Sequence, residues 1–208
     1  MMLPISVLDA IIIGGMSVKD FAIVTKLDHT SAKSILLDLV ANQIGLQNGE
    51  VFEFSAGDKL RVAMLCLQRG AMIDDIAANL NWKDFEGLVS EILSKVGFAT
   101  IRNHIIKKPR REIDVIGIKA GVAMLIDCKH WKRTSTSAIT SAVLKQIERT
   151  KQYVAHTEES IAVPVIVTLY EEEISFSNKV PIVPVHKFAS FVDEFYGNLE
   201  KIETIEKT

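Results

Sequence analysis

Two short apolar runs, Ile113 to Ile118 and Val122 to Ile126, are separated only by Lys119, Ala120 and Gly121. A gap that small turns the runs back on each other as an antiparallel hairpin, with Ala120 and Gly121 as its two-residue loop. Pairing Lys119 with Val122 fixes the register of the ladder. It sets Asp114 opposite Asp127, with Lys129 two residues on and on the same face. Both hairpin faces are apolar: Ile116, Ile118, Ala123 and Leu125 on one, Val115, Val122, Met124 and Ile126 on the other. Such a sheet needs helices on both sides. Three charges therefore collect at one edge of an otherwise apolar surface.

Two carboxylates roughly 4 Å apart repel by about 4 kcal/mol at an effective dielectric near 20. A hard divalent cation removes that cost, because Mg²⁺ takes one or two carboxylates and completes its shell with waters and phosphate oxygens. The lysine is then left to orient a water or to neutralise developing charge. Either acid alone reads as a solvated strand-end residue. Together, on a buried hairpin, they point to metal-assisted hydrolysis of a phosphodiester, with Asp114 and Asp127 as metal ligands and Mn²⁺ as a substitute for Mg²⁺.

The stretch from Trp82 through Tyr153 resembles the PD-(D/E)xK nuclease superfamily, in its Mrr-like and archaeal Holliday-junction-resolvase-like branches. The resemblance implies a restriction-endonuclease-like α/β/α core and metal-dependent DNA cleavage leaving 5′-phosphate and 3′-hydroxyl ends. It assigns the metal-binding aspartate to Asp114 and the D-x-K pair to Asp127 and Lys129. It also assigns an acidic residue of the first core helix to Glu86 and a glutamine of the following helix to Gln146. Ile113 stands where the family name has proline. Glu112, on the same strand face as Asp114, is the alternative auxiliary acid to Glu86.

Helical spacing supports Glu86. Asn81 is a candidate N-cap with Asp84 three residues on, and Phe85, Leu88, Val89, Ile92, Leu93 and Val96 form an apolar stripe that Gly97 ends. Glu86 lies at the edge of that stripe. As a first-turn acid it is equally explained by the helix dipole. Gln146 shares a face with Ile139, Val143, Thr150, Tyr153 and Val154 on a helix expected from about Ala138 to His156. A buried amide needs partners: the attacking water or Lys129 on one reading, a backbone group on the other.

The chain carries a net charge of −2, unevenly spread. Residues 1–75 hold 6 basic and 9 acidic groups (net −3), residues 76–133 hold 11 and 6 (net +5), and residues 134–208 hold 7 and 11 (net −4). Lys107, Lys108, Arg110 and Arg111 precede the first hairpin strand, and Lys132 and Arg133 follow the second. These six are candidate ligands for nucleic-acid phosphates. His130 and Trp131 read as packing residues.

Cys66 and Cys128 lack metal-site spacing, so zinc is not indicated, and no small-molecule cofactor is expected. No apolar run approaches the ~18 residues needed to span a bilayer. The apolar start has no basic segment before it, which argues against a signal peptide. A cytoplasmic protein without membrane contact is expected.

From Phe98 onward the expected order is αβββαβ with an added strand: Phe98 to Ile106, the hairpin, the Gln146 helix, Ile161 to Leu169 and Val180 to Val185. A last helix spans about Lys187 to Leu199. Residues 1–70 read as a separate winged-helix-like α+β domain. Its helices are Ser17 to Leu27 and Ser31 to Asn42, followed by a hairpin turning at Asn48-Gly49. This domain is acidic and offers only Lys33 on its second helix, which leaves DNA binding, dimerisation and protein docking open.

The expected organisation is thus α/β: domain 1–70, linker 71–81, nuclease core 82–199 with a mixed sheet, and charged tail 200–208. Expected partners are DNA and, because cutting both strands takes two active sites, a second copy of the chain. Restriction, repair and junction resolution would share this hairpin, and RNA is also open. The alternative is a catalytically silent DNA-binding or scaffold protein.

Overall fold

The computed structural model describes residues 2–55, 57–131, 134–158, 161–172 and 175–207. The chain divides into two compact units, Met1–Asp84 and Phe85–Thr208.

The first unit runs α1 (Val7–Ala10), β1 (Gly14–Ser17), α2 (Val18–Thr25), α3 (His29–Ala41), β2 (Leu46–Asn48), β3 (Val51–Phe54), α4 (Asp58–Gln68) and α5 (Ile73–Ala78). Its three strands pair antiparallel in the order β1-β3-β2. The Ser17 hydroxyl caps α2 at the Asp20 N–H (3.1 Å), and Asp28 caps α3 at the Ser31 N–H (3.0 Å). The second cap starts α3 at His29, two residues earlier than expected. Phe21, Leu36, Leu39 and Phe52 are buried at the centre.

The hairpin here turns one residue later than the Asn-Gly signal predicts. Asn48 still pairs with Val51, so the loop is Gly49-Glu50, with Gly49 at φ 64°. Asn48 is held in the ladder, where its amide donates to Glu53 (3.2 Å). Strand β1 was not expected, since Gly-Gly-Met-Ser has no alternation to read. The segment read as a linker, 71–81, contains α5, whose Ile76 and Ala77 are buried.

The second unit begins within α6 (Trp82–Lys95) and runs on through β4 (Ala99–Lys107), β5 (Arg110–Lys119), β6 (Val122–Lys129), α7 (Thr136–His156), β7 (Ile161–Thr168), β8 (Phe176–Ser177), β9 (Val180–Pro184) and α8 (Val185–Glu194). A 3-10 helix at Tyr196–Lys201 and β10 (Ile205–Glu206) complete it. The sheet order is β4-β5-β6-β7-β9-β8, with β10 on the start of β7. The tail is therefore tied down, with Ile202 buried. β4, β5 and β6 are antiparallel, while β6, β7 and β9 are parallel. This is the mixed α/β sheet with flanking helices that the sequence led us to expect.

Hairpin β5–β6 keeps the predicted register, from Lys119↔Val122 to Val115↔Ile126. Its loop residues Ala120 and Gly121 both have positive φ, 50° and 77°, as a type I′ turn requires. Helix α6 buries Phe85, Leu88, Val89, Ile92 and Leu93, each contributing about 1.5–3 kcal/mol. It approaches β5 closely at Gly117, where an added Cβ would stand 2.9 Å from Leu93 Cδ1. Phe98 also meets Gly117 and packs edge-on against Phe195, which follows α8. Helix α7 covers the opposite face, where Tyr153 and Val154 join Ile116, Ala123 and Leu125 in one apolar cluster. No helix among the described residues is long and apolar enough to cross a membrane.

Candidate active site

The parallel strands end together: Lys129 lies beside Thr168, and Thr168 beside Pro184. Open α/β sheets bind ligands at this carboxyl edge. Strand β6 delivers Asp127 and Lys129 there on one face.

Asp114 sits where β5 loses regular pairing with both neighbours. On the β4 side, Arg102↔Val115 and His104↔Ile113 are paired, while Asn103, opposite Asp114, adopts φ 53°. On the β6 side the ladder stops at Val115↔Ile126, one step before the expected Asp114–Asp127 pair. The strand's alternation also breaks here. Ile113 and Ile116, three residues apart, both pack in the α7-side cluster. An irregularity of this kind re-aims a side chain. The Asp114 carboxylate reaches across the gap and accepts the Cys128 N–H through Oδ2 at 2.7 Å.

Asp127 is 3% exposed, and both its oxygens are engaged. Oδ2 faces Lys129 Nζ at 2.8 Å, and Oδ1 accepts from Arg149 Nη1 at 2.7 Å. The two carboxylates feel each other. Burial above all, and then the negative charge of Asp127, push the Asp114 carboxyl up to about 6, against the pull of the Cys128 N–H, Lys129 and Arg149. The Cys128 thiol is raised well above its ordinary range by burial, with Asp114, Glu86 and Asp127 adding to the shift. Glu86, buried on α6, therefore belongs to the same negative field. Glu112 is exposed beside Ile105.

Gln146 is fully buried on α7. Its amide donates to the Leu125 carbonyl at 2.8 Å and its oxygen accepts from Arg149 Nη1 at 3.3 Å. Gln146 thus has a backbone group as one partner of its amide. Its amide braces α7 against β6 and aims Arg149. Arg149 itself was missed in the sequence. The signal was available, since it stands three residues after Gln146 and so on the same helical face.

An open cleft of about 310 Å³ adjoins these groups, lined by Asp127, Lys129, Trp131, Ser141, Lys145 and Arg149, among others. His130 packs edge-on against Phe85 at 4.7 Å, and Lys129 Nζ lies 5.9 Å from the Trp131 ring centre. Burial lowers the His130 pKa. Lys107, Lys108, Arg110 and Arg111 are exposed and form the tip of hairpin β4–β5 rather than a loop ahead of β5, since Lys107 pairs with Arg110. Lys132 and Arg133 lie outside the described residues.

Among the described residues no three His, Cys, Asp or Glu side chains form a ready cage for a metal. The chemistry of the donors nonetheless fits a hard cation. Asp114 and Asp127 offer carboxylate oxygen, and their mutual repulsion is what a divalent ion relieves. Two protein ligands suffice for Mg²⁺, which keeps several waters.

Residues 77–168 match the family model described as restriction endonuclease. Over 124 residues the chain is 30% identical to an uncharacterized protein of Archaeoglobus fulgidus, a match covering 58% of this chain and 92% of that protein. Three solved structures are similar. One is the protein of unknown function AF1548, 24% identical over 42% of this chain and 47% of that one, with a TM-score of 0.35. The second is protein VC1899 from Vibrio cholerae, 11% identical over 90% and 47%, with a TM-score of 0.41. The third is Can2 from Sulfobacillus thermosulfidooxidans in complex with cyclic tetra-adenylate, 12% identical over 93% and 48%, with a TM-score of 0.38. The chain spans about half the length of each of these solved proteins.

Proposed function

We propose that this chain, which belongs to one family with the Archaeoglobus fulgidus protein and carries a restriction endonuclease domain over residues 77–168, is a Mg²⁺-dependent endodeoxyribonuclease. The observation that carries this reading is the meeting of Asp114, Asp127 and Lys129 at one strand end, with Lys129 Nζ 2.8 Å from the buried Asp127 carboxylate. Asp114 and Asp127 would hold the ion, with Mn²⁺ as a substitute. A cation bound there would lower the pKa of a coordinated water and offset charge on the phosphate. Lys129, held at Asp127, orients that water and stabilises the charge building on the phosphoryl oxygens. Glu86 adds negative potential from α6, and its burial supports it over the exposed Glu112 as the auxiliary acid. Gln146 acts indirectly, by positioning Arg149.

The basic tip of hairpin β4–β5 supports DNA as the substrate, through Lys107, Lys108, Arg110 and Arg111. The order α1-β1-α2-α3-β2-β3 with sheet order β1-β3-β2 supports a winged-helix-like module in the first unit. A homodimer would place two cleavage sites on one duplex, and light scattering tests it.

The activity is tested with supercoiled, linear and branched DNA in Mg²⁺ and in EDTA. Wild type nicks DNA only with the metal, and folded Asp127→Ala and Lys129→Ala variants do not. If both variants cut like wild type, the assigned chemistry is wrong. DNA binding without cutting on any substrate would favour the silent scaffold instead.

A further inference from the structure

Two hollows meet along the same side of α7. The cleft of about 310 Å³ beside Asp127 and Lys129 is lined by Lys145 and Arg149. A second hollow of about 280 Å³ is lined by the same two residues together with Arg111, Leu144 and Glu148. Lys145 and Arg149 stand four residues apart on α7 and so line up along one helical face. Arg111, from the tip of hairpin β4–β5, closes the far end. A row of cations thus leads from Lys129 at the strand edge, past Arg149 and Lys145, to Arg111.

The pairing of these cations is uneven. Among the described residues, Lys145 is exposed and has no acidic partner, although it borders both hollows. Arg149 spends one nitrogen, Nη1, on both Asp127 and Gln146. Its Nε and Nη2 have no partner among the described residues, and a guanidinium offers five N–H donors in a planar fork. Arg149 is also one of two cations on a single carboxylate, Lys129 being the other. An ion that takes Asp127 competes with that arrangement directly.

We infer that α7 carries the phosphate track of the substrate strand, with Lys145 binding a phosphate next to the cleavage site and Arg149 exchanging between two anions. Without a divalent ion, Arg149 serves as counter-cation to Asp127 and keeps the acidic pair tolerable in its buried setting. When the carboxylate turns to an ion, Arg149 is released toward the cleft and its fork closes on a phosphate of the bound strand. Gln146 keeps the arginine near by holding Nη1 while its own amide stays anchored to the Leu125 carbonyl. The inference rests on the nuclease reading for the identity of the strand, and on the two hollows and their unpaired donors for its path.

The test compares Lys145→Gln, Arg149→Gln and, as a control for charge loss on the same helix, Lys151→Gln. Lys151 pairs with Glu148 at 3.2 Å and lines neither hollow. Duplex affinity is measured across salt concentrations with Ca²⁺ filling the carboxylates, and Mn²⁺ affinity is measured by electron paramagnetic resonance without DNA. Lys145→Gln is expected to weaken the duplex about tenfold and to lower the slope of log affinity against log salt by about one. Arg149→Gln is expected to weaken the duplex similarly yet to bind Mn²⁺ more tightly, because a competitor for Asp127 is gone. A purely structural arginine would weaken both. Lys151→Gln should behave as wild type. The inference is overturned if Lys145→Gln and Arg149→Gln match Lys151→Gln in duplex affinity, or if Arg149→Gln loses Mn²⁺ affinity. Wild-type cleavage together with unaffected Lys145→Gln binding would sink the track alone. Wild-type binding without cleavage would sink the nuclease reading and leave the track standing.

Discussion

Asp58 in the first unit and Asp127 in the second are both buried aspartates, 1% and 3% exposed, and each has every oxygen engaged. Their partners differ in kind. Asp58 accepts the Ser55 N–H at 2.7 Å and the Ser55 hydroxyl at 2.8 Å, and it faces Arg61 at 3.0 Å. All three contacts come from within three residues, at the start of α4. They form with the helix and have no reason to leave. Asp127 is held by two long cationic side chains, one of them 22 residues away on α7, and a second carboxylate stands beside it. Local and mostly neutral partners make a buried acid structural, whereas charged partners on long side chains and a like-charged neighbour leave it able to exchange ligands.

The largest effect that tests this contrast is on cleavage. Asp127→Ala should lower the cleavage rate by about 10³-fold or more, since several kcal/mol of transition-state stabilisation go with the metal ligand. Asp58→Ala should leave the rate of the folded protein unchanged. Equal losses in the two variants would break the comparison.

Stability should rank Asp58 and Asp114, the carboxylate beside Asp127, the other way. Asp58→Ala removes the buried acceptor of the Ser55 N–H, the Ser55 hydroxyl and Arg61 and should cost about 2–3 kcal/mol in urea unfolding. Asp114→Asn removes a carboxylate that burial and Asp127 make unfavourable. Its pKa is raised in the folded state from 3.8 to about 6. Between those values the folded protein retains a proton that the unfolded chain has released, so this group's effect on stability falls as pH rises through the window and stays low above it. In EDTA at pH 7.5, Asp114→Asn should therefore be the more stable protein, by up to about 3 kcal/mol, with the advantage gone by pH 4. The same variant should be inactive. Wild-type metal affinity should rise from pH 5 to pH 7 as Asp114 ionises.

A smaller effect sharpens the contrast from the side of α6. Gly117→Val would drive a side chain into Leu93 and Phe98 and should cost about 1–3 kcal/mol. Because α6 carries Glu86, cleavage per folded molecule should fall as well. A stability loss without any loss of rate would remove Glu86 from the site.

Much of the second unit was legible because its signals are local and periodic. The Ala120-Gly121 loop set the register of β5–β6, and the apolar stripe after Asn81 gave α6. Where the reading slipped, a tertiary contact overrode a local one. The Asn48-Gly49 signal was shifted by one residue because Asn48 kept its place opposite Val51. Strand β1 is made by pairing with β3, which no pattern in Gly-Gly-Met-Ser announces. At the site, alternation alone set Asp114 opposite Asp127. The lost pairing at Asn103 and Asp114 is set by backbone geometry and not by residue pattern, so the bond from Asp114 to the Cys128 N–H could not be read. Arg149 could have been, from its spacing to Gln146.

The most direct test is a crystal soaked in Mn²⁺ and recorded at the manganese absorption edge. The account predicts an anomalous peak bridging Asp114 and Asp127, with ligand distances near those of a hard octahedral ion, about 2.0–2.2 Å, and Arg149 withdrawn from Asp127. Saturating Mn²⁺ that leaves the Asp127–Arg149 pair intact and no ion between the two carboxylates would contradict it.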